Sequence, residues 1–363
     1  MNQVLNTDSI VVGLDVHKYG HTAAAVDCFG QEMGNLNFSN DLLSDFCSWM
    51  LSLGKKENII VALEDANGYG VFIVKALTEA KFTFRYVPAI LTERDRKRST
   101  HHDKSDIKDA KRVAKVILTK YEETLPARES IATKSEIDTA VNLDLLLSER
   151  RDIVNWKSIL KNQLHALLHQ CFEDHYKDGY SKTFGKKACI TYTKELKRRV
   201  KKDPNDFLAQ STVRKIERLI LLTEQLVIID KKIENISKDV PDVKRLSGNI
   251  HGCGVSTAAT IVSQVYTIKR FSTKAKFAKY AGIAPTEKSS GQRGRLYTSP
   301  FGNRILNKAI HRIALSQISG NGDERGKIYY RKKLSEGKTK LWSLRCLKRQ
   351  LSNRVYHVLK HAD

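Results

Sequence analysis

The strongest constraint on the fold is the run IVVGLDVHKYGHTAAAVDC, residues 10–28. Two apolar segments flank a short turn at Tyr19-Gly20, the pattern of a hairpin of strands bound for a core. One position resists that pattern. Asp15 stands among apolar neighbours, where a carboxylate is costly to bury without a partner. The continuation sets the sheet. GNLNFS adds a third strand, and DLLSDFCSWMLSL carries Leu42, Leu43, Phe46, Met50 and Leu51 at helical spacing. NIIVALE reads as a buried strand ending at Glu64, GVFIVKALTEA as a helix, and FTFRYV as a strand closed by Pro88. A meander followed by alternating helices and strands predicts a mixed sheet with helices on its faces, of the ribonuclease-H kind.

Beyond the sheet the period changes. Residues 135 to about 170 predict one long helix, with Leu145, Leu146, Ile153, Ile159, Leu160, Leu164, Leu167 and Leu168. Residues 213–236 predict a second, with Ile216, Leu219, Leu226, Ile229, Ile233 and Ile236 near heptad spacing. The link is read as a polar, basic stretch ending at KKDPND, where Pro204 stops any helix. Together these predict a long antiparallel coiled-coil arm, and leave open whether its seam packs within one chain or between two. From Lys244 onward the chain reads as short helices and Gly-rich turns. HGCGVS is a Gly-x-Gly turn between two apolar helices, similar to a helix–hairpin–helix element. AGIAPTEKSSGQRGRLYTSPFGNRILNKAI reads as mostly loop followed by a helix, and the last forty residues as a basic helical tail. The expected domains are 1–128, 129–243 and 244–363: an α/β domain, a helical arm and a mainly helical basic domain.

Charge separates these segments. The formal net charge is +23, of which residues 1–125 contribute −1, residues 126–243 contribute +4 and residues 244–363 contribute +20. An excess confined to one third of the chain is the footprint of a nucleic-acid surface. Its cations alternate with turn residues and aromatics rather than lining one amphipathic helix, which argues against a membrane surface. No apolar run approaches the length of a membrane span, and the N-terminus is not read as a secretory signal. The six cysteines are dispersed, with no CxxC and no zinc spacing, as expected of free thiols in the cytoplasm.

The acids carry the first chemical reading. Asp106 and Asp109, in DKSDIKDAKRVAK, are three apart and share a helix face. If Asp15 and Glu64 lie on neighbouring strands and this helix packs over the sheet rim, four carboxylates converge. Oxygen-only ligation would then select Mg²⁺, with Mn²⁺ as the alternative, and two such ions can clamp a phosphodiester. Each acid also has a plainer reading. Asp106 could cap a helix, Asp109 could be a solvated helix residue, and Glu64 could cap a turn, with Asp65 its rival for the role.

The second constellation is SSGQRGR, residues 289–295. A serine before glycine sits on unhindered backbone, and Arg293 and Arg295 could hold a phosphate in bidentate fashion beside it. Such a serine could be a nucleophile, or the segment could be an ordinary phosphate-binding loop. The HGCGVS turn, through Gly252 and Gly254, could likewise hold phosphate on backbone N–H groups, or simply connect two helices.

Taken together, GLDVHK, LEDANGYG and KSDIKDAKRVA resemble the acidic-quartet transposases of the insertion-sequence 110 and 1111 group, and AGIAPTEKSSGQRGR…FGNRIL resembles their C-terminal transposase domain. The order of motifs matches across nearly the whole chain. The resemblance implies a RuvC-like, ribonuclease-H-like first domain in which Asp15, Glu64, Asp106 and Asp109 bind Mg²⁺. It implies that Ser290 is a nucleophile joined covalently to DNA, and that the site is composite, with acids from one subunit and serine from another. A homo-oligomer, dimer or tetramer, is therefore expected. It also implies guidance by a structured noncoding RNA in a bacterial cytoplasm, with no membrane partner. The residues expected to touch nucleic acid are Gly252, Gly254, Lys288, Arg293, Arg295, Asn303 and Arg304. The chain departs from the group's pattern at Ile283, where leucine is usual in Gly-Leu-x-Pro, at the paired Ser289 and Ser290, and at Asn307 after Leu306, where an arginine is usual and Arg304 could substitute.

The function expected is therefore a transposase or site-specific DNA recombinase working through a phosphoserine. The alternative is a metal-dependent, structure-specific endonuclease of the Holliday-junction-resolvase kind, with no covalent intermediate. A third reading, a noncatalytic nucleic-acid scaffold, accounts for the basic third and leaves the acids without a purpose.

Overall fold

A computed structural model describes residues 5–64, 68–98, 105–172, 184–290, 293–298 and 301–361, without the side chains of residues 94, 97, 98 and 286–298. The chain opens with an antiparallel meander, β1 (Ile10–Val16), β2 (His21–Val26) and β3 (Glu32–Phe38). Helix α1 (Leu43–Leu53) leads to β4 (Ile59–Leu63), which lies parallel to β1. Helix α2 (Val71–Glu79) leads to β5 (Thr83–Tyr86), parallel to β4. Helices α3 (Ala89–Arg98) and α4 (Asp106–Lys120) follow, and β6 (Leu125–Pro126) closes a six-stranded mixed sheet of order β3-β2-β1-β4-β5-β6.

Both faces of the central strands are covered, which is why IIVAL in β4 is buried at every position. Side chains alternate between the faces. Ile10, Val12 and Leu14 of β1 join Ile59, Val61 and Leu63 of β4 in a core with Phe46 and Met50 of α1 and Ile73 and Leu77 of α2. Val11, Ile60 and Ala62 look the other way and pack with Val113, Ala114 and Ile117 of α4.

Helix α5 (Lys134–Cys171) runs 38 residues, and α7 (Phe207–Ser237) runs 31. Arg150 Nε donates to Asp230 Oδ1 at 2.6 Å, Lys215 Nζ to Gln163 Oε1 at 2.7 Å, and Cys171 Sγ lies 3.9 Å from Thr212 Oγ1. Partner numbers fall along α7 as they rise along α5, so the two helices run in opposite senses. Part of the basic link between them departs from expectation. It folds as α6 (Lys186–Lys202), which buries Cys189 and Leu196 and is tied to α7 by Lys197–Glu217 at 2.8 Å. Its apolar stripe is narrow, and the surrounding lysines and arginines hide it from a hydropathy reading.

Helices α8 (Pro241–Asn249) and α9 (Val255–Val265) flank the HGCG turn, followed by α10 (Lys274–Tyr280). The serine segment, expected to be loop, forms a hairpin of β7 (Pro285–Ser290) and β8 (Arg293–Thr298), with Pro285 opposite Thr298 and Ser290 opposite Arg293. Helices α11 (Arg304–Ile318), α12 (Glu324–Ser335) and α13 (Lys340–Lys360) end the described chain.

Two compact units result, residues 1–137 with 266–304, and residues 138–265 with 305–363. In the first, α10 is tied to the segment after α4 by Lys276–Glu122 and Lys279–Glu123, each at 2.6 Å, and Arg128 stacks on Tyr266 at 4.4 Å. The second contains both long helices, α8, α9 and the C-terminal helices. Among the described residues no helix is long and apolar enough to cross a membrane.

Candidate metal centre

Strand alternation places the first two acids. Asp15 continues the face of Val11 and Gly13, and Glu64, one residue past β4, continues the face of Ile60 and Ala62. Gly13 pairs with Ala62 and Leu14 with Leu63, so the next positions on the two strands are Asp15 and Glu64. Both acids therefore sit on the α4 side, where the parallel strands end.

Gly13 sets the approach of α4. A Cβ built there would fall 2.0 Å from the Ala110 carbonyl oxygen and 2.5 Å from the Ala114 nitrogen. Helix α4 thus lies directly on β1, backbone against backbone, through a glycine and two alanines. Its first turn, carrying Asp106 and Asp109, is carried to the rim that holds Asp15 and Glu64. Ser105 occupies the N-cap position, so Asp106 is the first helical residue rather than the cap. Two like charges in a first turn are offset by the partial positive charge of the helix N-terminus.

The groups couple across the rim. His17 Nε2 lies 3.1 Å from Asp15 Oδ2 and 3.7 Å from Asp106 Oδ1, and ligand atoms of these three residues lie within 4.8 Å of one another. Arg112 pairs with Asp109, and the Thr92 hydroxyl donates to Glu64. Burial pushes the Asp15 carboxyl above its ordinary range; His17 opposes this, and the charges of Asp109 and Asp106 add to it. Burial likewise pushes Glu64 up, opposed by the Thr92 hydrogen bond and Arg96 and reinforced by Asp15 and Asp109. Each of the four acids thus acts on, or is acted on by, another.

This donor set suits a divalent cation. Clustered carboxylates in a partly buried site repel one another, a hard cation relieves the repulsion, and oxygen ligands favour Mg²⁺ or Mn²⁺. His17 adds one nitrogen. Neither His17 nor Gly13 stood out in the sequence as part of the site. The signal for His17 was its place two residues after Asp15, the spacing that keeps side chains on one face of a strand.

The other expected residues are distributed as follows. Ser290 and Lys288 lie on β7, and Arg293 and Arg295 on β8, with their side chains outside the described residues. Ser289 shares that status, and Asp65, the rival to Glu64, lies outside the described residues. Asn303 is engaged within the fold: its N–H donates to the Tyr280 carbonyl at 2.7 Å, and its Nδ2 lies 3.2 Å from the Tyr280 hydroxyl. Arg304 is exposed at the start of α11, and Gly252 and Gly254 lie in the turn between α8 and α9.

Comparison with known proteins decides the family. A model described as a transposase of the IS110 type with a DEDD signature matches residues 12–173, and one described as "Transposase IS116/IS110/IS902 family" matches residues 245–331. Between them they cover more than half of the chain. The chain belongs to the IS110/IS116 family of insertion-sequence transposases. Among relatives of this IS110/IS116 chain, an uncharacterized 43.6 kDa protein of insertion element IS110 from Streptomyces coelicolor is 36% identical over 110 residues. That match spans 30% of this chain and 27% of the relative. An uncharacterized 44.8 kDa protein of insertion element IS116 from Streptomyces clavuligerus is 22% identical over 97% of this chain and 95% of its own length. The first IS110-type match contains all four acids, and the second contains the serine hairpin and the HGCG turn.

Proposed function

We propose that this IS110/IS116-family chain is a site-specific DNA recombinase that cuts and rejoins strands through a phosphoserine at Ser290, beside a cation centre formed by Asp15, Glu64, Asp106 and Asp109. The observation that supports the proposal is the clustering of Asp15 and Asp106 with His17 at the sheet rim, with Asp109 and Glu64 electrostatically coupled to Asp15 and the Asp15 and Glu64 carboxyls raised by burial and by acidic neighbours. Partly buried, mutually repelling carboxylates are what a phosphodiester-processing cation site uses.

Bound Mg²⁺ would supply charge neutralisation for the transferring phosphate. The chain's own residues do the rest. Asp15 and Glu64 are fixed by their strands, Thr92 orients Glu64, Arg112 holds Asp109, and His17 steadies Asp15 and faces Asp106. The Ser290 oxygen forms a bond to phosphorus while the bond from phosphorus to the 3′ oxygen breaks, and the serine proton passes over to the released 3′ oxygen. The phosphoserine retains the bond energy, and attack by another 3′ hydroxyl restores the serine. No nucleotide cofactor is required. The cationic C-terminal third holds the backbone. In this proposal a structured noncoding RNA selects the DNA, the ribonuclease-H-like sheet domain and the antiparallel helices, acting as a coiled-coil arm, contact that RNA, and a dimer or tetramer pairs the acids of one subunit with the serine of another.

The test is a covalent adduct. The protein is incubated with its co-purifying RNA, Mg²⁺ and end-labelled DNA from the element's termini, then resolved under denaturing conditions. A protein-linked DNA band is expected, absent in Ser290→Ala and retained in Ser289→Ala. Cleavage that persists in Ser290→Ala without an adduct decides for a metal-dependent nuclease.

A further inference from the structure

The rim carries one group that is not an acid. His17 stands one residue past β1, as Glu64 stands one residue past β4, and it continues the face of Val11, Gly13 and Asp15. Its side chain is 47% exposed, so it adds little to the core. What it does touch is acidic. Its Nε2 lies 3.1 Å from Asp15 Oδ2 on its own strand and 3.7 Å from Asp106 Oδ1 on the first turn of α4.

A hydrogen bond from the imidazole accounts for the first distance. The second is too long for one, yet two separate elements bring their carboxylates to the same nitrogen. One ligand atom from each of the three residues lies within 4.8 Å of the others. Donors at about 2.1 Å from an octahedral ion are about 3.0 Å apart at adjacent corners and about 4.2 Å apart at opposite ones. Both nitrogen–oxygen distances fall within that range.

A nitrogen is a different ligand from a fourth or fifth oxygen. Mg²⁺ is held through oxygen and keeps several waters, whereas first-row transition ions take imidazole readily. Among them Mn²⁺ also suits a set dominated by carboxylates.

We propose that His17 Nε2 is a ligand of the rim cation together with Asp15 and Asp106, and that it turns the preference of that position from Mg²⁺ towards Mn²⁺. The inference rests on the cation centre proposed above and adds to it a ligand outside the four acids. Either ion supplies the charge that the acids call for; the nitrogen decides which is held more tightly.

The experiment uses the purified full-length chain, freed of nucleic acid and metal, with Mn²⁺ as the probe at constant pH. Binding is followed by loss of the free-ion electron paramagnetic resonance signal, and Mg²⁺ is then added as competitor. Electron spin-echo modulation reports whether an imidazole nitrogen is bound directly to the ion. Melting temperature without metal is recorded for every variant, to show that each is folded. The parent is expected to bind Mn²⁺ with nitrogen modulation, and Asp15→Asn to lose that bound ion. His17→Ala should weaken Mn²⁺ binding about tenfold or more, change Mg²⁺ binding less than about threefold, and abolish the nitrogen modulation. His17→Asp, which returns an oxygen donor, should hold the ion without nitrogen modulation and let Mg²⁺ compete better than in the parent. A histidine that only pairs with Asp15 gives no nitrogen modulation in the parent.

Mn²⁺ bound by the parent without that modulation, or modulation that persists in His17→Ala, overturns the ligand and leaves the acidic centre standing. Modulation lost in His17→Ala with the ratio of Mn²⁺ to Mg²⁺ affinity unchanged overturns the preference. A parent that binds no Mn²⁺, or binds it no better than Asp15→Asn does, overturns the cation centre and the ligand with it.

Discussion

The nearly neutral N-terminal part of this chain and its strongly basic C-terminal part are built on different plans. The N-terminal sheet domain has almost no net charge, yet gathers Asp15, Glu64, Asp106 and Asp109 at one rim. The C-terminal third carries +20 and spreads it over α10, the β7–β8 hairpin and α11 to α13. In the proposed function the rim is a cation centre, which depends on where each oxygen is placed; its charges are few and held by strand register, by a glycine and by a helix start. A backbone-binding surface depends on a sum, so its charges are many and individually replaceable. Sensitivity to substitution should follow the same division.

The largest effect is expected at the rim. Asp15→Asn keeps the shape and removes the charge, and should lower strand cleavage by about a thousandfold or more, since a cation's transition-state stabilisation is worth several kcal/mol. Binding to nucleic acid, measured on the same preparation, should change by less than about threefold, because one neutral substitution on the acidic side leaves the phosphate contacts intact. Cleavage within tenfold of the parent would place the chemistry elsewhere and break the comparison.

Next in size is Gly13→Ala. Its methyl group would enter the space of the Ala110 carbonyl and the Ala114 amide, which are backbone and cannot swing aside. A loss of about 3 kcal/mol is expected in denaturant unfolding, at the upper end of overpacking costs, together with loss of cleavage as Asp106 and Asp109 are pushed off the rim. Full activity in a stable Gly13→Ala protein would show that α4 need not lie on β1.

How much of this was legible beforehand depends on what marks each element in the chain. The sheet was legible because β1 and β4 are apolar runs with an acid at the end of each, and period-two alternation then places both acids on one face. The close approach of α4 was not, because a glycine at position 13 does not say which distant residue meets it; Ala110 and Ala114 supply the answer only in three dimensions. Helix α6 was hidden because Cys189 and Leu196 are outnumbered by surrounding cations. The β7–β8 hairpin was hidden because KSSGQRGR is polar on both strand faces, leaving Leu296 and Tyr297 as its few apolar marks. The place of residues 266–304 in the first unit rests on pairs such as Lys276 with Glu122, which no local pattern announces.

The rim also makes a pH prediction. Asp15 and Glu64 hold protons more tightly when folded than carboxylates do in an unfolded chain, whose values lie at about 4. Stability therefore falls as pH rises through their raised values and is recovered as pH drops below them. Glu32, Glu122, Asp206 and Glu336, whose values are lowered by hydrogen bonds and nearby cations, act in the opposite sense. The informative quantity is thus the difference between parent and Glu64→Gln. Without divalent cation, the variant should melt higher than the parent at neutral pH, and the gap should narrow on acidification. Mg²⁺ should raise the parent's melting temperature more than the variant's. A gap that ignores pH, or equal Mg²⁺ shifts, would separate Glu64 from the cation site.

The smallest effect belongs to the cationic side. Arg304 is exposed at the start of α11 and, on the spread-charge plan, contributes one phosphate contact among many. Arg304→Ala should weaken nucleic-acid binding by less than about tenfold, equally across DNA sequences, and reduce the salt slope by about one. At saturating DNA its cleavage rate should match the parent, because a binding contact made equally in ground and transition states affects affinity rather than turnover. A cleavage defect that persists at saturation would move Arg304 from the distributed surface into the reacting centre. The site would then draw its cations, as well as its acids, from fixed positions, and the difference between the two halves of the molecule would be one of sign alone.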